Sequence, residues 1–122
     1  MKKVLTFFIT TVLFSSTIFA NVSKGNSMHH YVIVNFTVKQ NKISSFVEKM
    51  NELKAQLPKV NGCEEVSIYQ DKSNTVSFTI VEKWKSPKEH QEHIENITND
   101  GSLEAISSLL AKPMSGYGYN KL

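Results

Sequence analysis

The sequence contains no arginine and a single cysteine, Cys63. Without arginine the chain lacks the planar, bidentate donor with which proteins usually read phosphate and guanine. Two of its lysines, Lys2 and Lys3, lie in the first twenty residues; beyond them 12 Lys face 11 acids, a net charge of about +1. Nucleic acid is therefore not an expected partner. One cysteine excludes an internal disulfide. A domain of about 100 residues with no staple has a small core, which a large subunit interface would reinforce. A long apolar run is also missing. Val4 to Phe14 is interrupted by Thr6, Thr10 and Thr11 and is short for a bilayer span. With Met1-Lys2-Lys3 before it and the more polar Ser15 to Ala20 after it, the run has the order of a secretory signal peptide cleaved after Ala20. An exported protein is expected, periplasmic or secreted, with no stable membrane anchor after cleavage. No cysteine follows the run, so a lipoprotein anchor is not expected.

Asn21 to Met28 reads as a flexible polar lead-in, and residues 29–122 as one domain. His30 to Val38 is β-branched and aromatic, a strong strand with Val32, Val34, Phe36 and Val38 on one face and Tyr31, Ile33 and Asn35 on the other. Asn41 to Leu57 is an amphipathic helix with Ile43, Phe46, Val47, Met50, Leu53 and Leu57 on its apolar stripe, stopped by Pro58. A turn at Asn61-Gly62 leads to a second strand, Cys63 to Gln70, and Asp71 to Asn74 form a hairpin connection. The next strand puts Val76, Phe78, Ile80, Glu82 and Trp84 on one face and runs into a capped helix: Ser86 as N-cap, Pro87 at the first position, Glu89 closing a capping box. His90, His93, Ile94 and Ile97 share a face of that helix. Asn99-Asp100-Gly101 breaks it, Ser102 to Ala111 reads as another helix, and Met114 to Leu122 as a last strand. The order is α+β, β-α-β-β-α-β, the pattern of a ferredoxin-like fold with an antiparallel sheet. Helices cover one sheet face only, yet the strands are apolar on both. A second copy closing two sheets into a dimeric α/β barrel would cover the other face.

With the elements in place, the chain resembles the antibiotic-biosynthesis-monooxygenase family of dimeric α+β barrels. The likeness rests on Asn61-Gly62-Cys63 before a strand ending Ile68-Tyr69-Gln70-Asp71, on Phe78, on Glu82-Lys83-Trp84-Lys85-Ser86, and on His93 nine residues after Trp84. Asn61 stands where the family usually has proline. The resemblance implies an oxygenase of quinols or phenols that works without metal, flavin or haem. A deprotonated quinol can itself give an electron to oxygen, so the protein need only bind the aromatic, take a proton and stabilise the oxyanion. On that reading His93 is the proton acceptor, Asn35 the oxyanion or substrate donor, and Trp84, Tyr31 and Phe78 line the aromatic's pocket. The partners are then a small aromatic substrate, oxygen and a second copy of the chain.

Each of these residues also has a structural reading. Trp84 at a strand end can be core, and His93 on an isoleucine-lined face can be a satisfied, half-buried histidine. Glu82 can pair with a lysine or cap a backbone. His90, His29 and His30 are expected in solvent, and Cys63 as a small hydrophobe. Beside His90 and His93 no Cys, Asp or third His stands at ligand spacing, so no metal site is expected. A haem-degrading branch of the same superfamily is similar at Asn35 and Trp84, although His93 and His90 fall off its usual spacing from the tryptophan. Haem is thus the alternative cofactor, and a non-catalytic exported barrel for a small apolar ligand the remaining alternative.

Overall fold

The computed structural model describes residues 29–122; the expected leader and lead-in lie outside the described residues. The elements are β1 (His30–Thr37), α1 (Ile43–Gln56), β2 (Cys63–Gln70), β3 (Ser77–Trp84), α2 (Pro87–Asn99), α3 (Ser102–Ser107) and β4 (Ser115–Tyr119), with short 3-10 turns at Gln40–Lys42 and Leu57–Lys59. The sheet has the order β2-β3-β1-β4 and all its pairings are antiparallel, the expected ferredoxin-like topology.

The period-two pattern of β3 is realised residue by residue: Phe78, Ile80, Glu82 and Trp84 are buried and the residues between them are half-buried. Against this face α1 and α3 set the main core. Phe46 is fully buried between Phe36 and Phe78, with ring centroids at 5.3 and 4.8 Å, and Val38, Met50, Ile80, Ile106 and Leu110 close around it. Each such side chain contributes about 1.5–3 kcal/mol through burial. A second cluster of Val32, Leu57, Cys63 and Trp84 lies at the other end of the same face, with Cys63 as the expected small hydrophobe. The Asn61-Gly62 turn before it needs glycine, since φ is +86° and a Cβ there would lie 2.4 Å from the Cβ of Glu89 in the first turn of α2.

Two elements are shorter than their patterns suggest. The helix expected to reach Ala111 ends at Ser107, because the chain after it is taken up by strand-like pairing. Lys39 N–H donates to Leu109 O at 2.9 Å, Ala111 N–H donates to Thr37 O at 2.8 Å, and Leu110 bridges Val38. β4 stops at Tyr119 because β1 pairs with it only through Tyr31 to Asn35. Among the described residues no helix covers the other sheet face; Tyr31, Ile33, Val81, Tyr117 and Tyr119 lie across it in register.

Candidate functional site

Trp84 ends β3 between two partners, His30 on β1 and Cys63 on β2. This central placement, with Leu57 above it, leaves the indole no exposed surface. Three polar side chains meet it. Its Nε1–H donates to Glu82 Oε2 at 2.7 Å, His93 lies over it at 5.2 Å between ring centroids, and His90 meets it edge-on at 5.4 Å. Both histidines arrive because α2 starts three residues after Trp84, with Ser86 as its cap as expected. Ser86 Oγ accepts from Lys88 N–H at 3.2 Å and donates to the Glu89 carboxylate.

His30 extends the cluster toward β4. Its ring is 5.5 Å from that of His90, and it lies so close to Gly118 that a Cβ there would be 2.5 Å from its Cε1. His90 is therefore half-buried among rings rather than in solvent, with Nε2 3.9 Å from Glu82 Oε2. His29 is also held, 3.0 Å from Glu64. The expectation of solvent-facing histidines fails because the start of β1 and the first turns of α2 converge on Trp84.

Burial pushes the His90 imidazole down to about 4, with His30 and His93 adding to the shift. Burial also lowers His93, opposed by Asp100. Glu82 is the buried charged residue among the described residues; desolvation raises its carboxyl, opposed by the bond from Trp84. Near neutral pH both His90 and His93 are thus uncharged, the form in which an imidazole accepts a proton.

One edge of His93 faces a cleft of about 570 Å³ between α1 and the α2–α3 corner. Leu53, Leu57, Val60, Ile97, Ala105 and Ile106 make it mainly apolar, and Asn96 and Asp100 add polar groups. That size and lining suit a small organic ligand. Lys49, at the rim, is tied to Glu52 at 2.7 Å. Among the described residues no group of three His, Cys, Asp or Glu could hold a metal.

Of the five residues singled out in the sequence, the structure brings His93 and Trp84 together and scatters the others. Trp84 is the platform beneath His93 rather than an exposed wall. Phe78 packs against Phe46 in the distant core. Tyr31 and Asn35 lie on the open sheet face, where Asn35 Oδ1 accepts from Thr79 Oγ1 at 2.8 Å. Strand alternation forces this: Asn35 is out of phase with Val34 and Phe36, so it cannot face a ligand that His93 faces in the same chain. Sequence reasoning passed over Leu53, Leu57 and Ile97 as site residues. Their helical periodicity signals burial equally well against a core or against a cleft.

The fold and the cleft define a small ferredoxin-like α+β domain with a ligand-sized opening beside His93 on its helical side. The family model for antibiotic biosynthesis monooxygenase matches residues 29–96, and the chain belongs to that family. Solved structures agree on the fold. A conserved protein from Methanosarcina mazei is 24% identical with a TM-score of 0.71, covering 79% of this chain and 95% of its own. A candidate antibiotic biosynthesis monooxygenase from Nitrosomonas europaea is 23% identical with a TM-score of 0.71, covering 80% and 93%. A conserved protein from Bacteroides thetaiotaomicron, described as a possible oxidoreductase, is 18% identical with a TM-score of 0.68, covering 79% and 100%. No curated protein matches the chain.

Proposed function

We propose that the protein is a monooxygenase that oxidises a small aromatic quinol or phenol with molecular oxygen, bound in the α1–α2 cleft, without a resident cofactor. The observation that carries this reading is His93: an uncharged imidazole, fixed on the buried Trp84 ring, at the edge of an apolar cleft. An aromatic hydroxyl in the cleft would pass its proton to His93, and the resulting oxyanion would give an electron to oxygen. With Lys49 paired to Glu52 and Asp100 anionic, the lining favours an uncharged ring over a carboxylated one. The haem alternative finds less support. Its two matching residues, Asn35 and Trp84, lie on opposite sheet faces, and the lining offers no second lysine for a propionate.

The test is oxygen uptake by metal-free protein, residues 21–122, given a reduced naphthoquinol, against the autoxidation of the quinol alone. Uptake well above that control, lost in His93→Ala, is expected. Uptake no greater than the control would sink the oxygenase reading and favour a binding protein.

The open sheet face supports a homodimer. Tyr117 and Tyr119 are 63% and 47% exposed and continue the half-buried Tyr31, Ile33 and Val81 into one apolar surface. A two-fold contact there would cover it. Export rests on the pattern of residues 1–20; an intact-mass measurement on protein recovered from the producing cell is expected to give a chain beginning at Asn21.

A further inference from the structure

We infer that Glu82 is a positioning residue, whose carboxylate clamps the Trp84 indole in the one orientation that seats His93 at the cleft. This rests on the oxygenase reading for its consequence in turnover, but the clamp itself is a matter of geometry. Glu82 and Trp84 are two residues apart on a strand, so both side chains rise from the same face side by side. The 2.7 Å bond ties the indole's polar edge to a carboxylate that is itself only 7% exposed. A charged acceptor makes such a bond shorter and stronger than a neutral one. Any rotation of the indole would break it and leave both groups buried without a partner.

Among the described residues, no other contact of Glu82 accounts for a carboxylate in this place. It forms no ion pair with a lysine among the described residues; the basic side chain beside it is the uncharged His90, whose Nε2 is 3.9 Å away. A residue buried purely for packing would be apolar, as Phe78 and Ile80 are on the same strand face. Around the clamped indole the histidines are stacked as on a fixed plate: His93 over it, His90 at its edge, and His30 behind His90, wedged against Gly118. Of these only His93 reaches the cleft. Glu82 therefore acts on the site through Trp84 and touches no ligand.

The protein has one tryptophan, so a single indole N–H signal reports on the clamp in a nitrogen–proton NMR spectrum, with no substrate present. In the wild type this signal is expected far downfield and sensitive to acid, moving together with the His93 ring signals as Glu82 takes a proton. Glu82→Leu removes the acceptor. The signal should move upfield, the His93 ring should titrate at a different pH, and kcat on the quinol should fall about tenfold or more while KM changes less. Glu82→Gln keeps an acceptor oxygen and should restore kcat to within about threefold of wild type. A Glu82→Leu protein with an unmoved indole signal and an unchanged His93 titration would overturn the inference. So would Glu82→Gln behaving like Glu82→Leu. If the leucine variant does not fold, the wild-type titration decides: an indole signal that ignores acid, or moves without His93, overturns it. Because the spectra need no turnover, a failed oxygen assay leaves this test standing.

Discussion

Both faces of the sheet carry apolar side chains, the covered face more of them, and they have opposite fates. On one face, Val32, Phe36, Phe78, Ile80 and Trp84 are sealed under helices, and a buried carboxylate and two half-buried histidines are tolerated because each meets a ring or a hydrogen bond. On the other, Tyr31, Ile33, Val81, Tyr117 and Tyr119 line up across three strands, and among the described residues no element lies above them. Polar groups there are surface groups, as the exposed Asn35 bonded to Thr79 illustrates. A residue's chemistry was the same on either face; which face it took decided whether it could serve the cleft.

The largest effect is expected at His93. His93→Ala should lower quinol turnover by about 10²–10⁴-fold, read as oxygen uptake with the fold intact by circular dichroism. A loss under about threefold would move the chemistry away from the helical face. Next in size is Trp84→Ala, which opens a cavity under α2 and should cost about 3–5 kcal/mol in urea unfolding. On the open face, Ile33→Glu should convert a dimer to a monomer in sedimentation at micromolar concentration; a wild type that already sediments as a monomer refutes the interface.

A pH effect comes next. His90 has an ordinary value of 6.5 and about 4 when folded, so between these values the unfolded chain binds a proton that the folded chain does not. Its stabilising effect is complete above 6.5, declines as pH falls, and is gone below about 4. The half-buried ring is partly screened, so the expected loss is about 1–2 kcal/mol, absent in His90→Phe. Glu82 works in the opposite sense: its raised value stabilises the fold at low pH and loses that effect as pH rises through it. Their difference, measured as urea stability from pH 7 to 4, separates the histidine from the carboxylate. The smallest effect is expected at Asn35. Asn35→Ala removes an exposed hydrogen bond worth about 0.5–1 kcal/mol and should leave turnover within about twofold. A large loss there would mean that the open face takes part in the reaction.

The order of elements was legible because each pattern was locally consistent. Alternation placed Phe78 to Trp84 on one face, and Ser86, Pro87 and Glu89 marked the start of α2 to the residue. The end of α3 was not, since Leu109 and Leu110 continue a helical pattern but are claimed by β1 across a long sequence separation. In the site, the spacing of Trp84 and His93 was enough to bring them together. Tyr31, Asn35 and Phe78 were legible only as strand residues, because alternation gives two faces without saying which one faces a ligand.

By itself the sequence determined the split β-α-β arrangement, the capped helix behind Trp84 and an apolar second face, because these follow from periods of two and 3.6 and from turn chemistry acting over a few residues. Only the tertiary structure decided that Glu82 would clamp the indole, that His90 and His30 would be drawn out of solvent, and that the cleft would open between α1 and α2. Those outcomes depend on how distant elements meet at one end of the sheet, where packing, burial and hydrogen bonding are settled together.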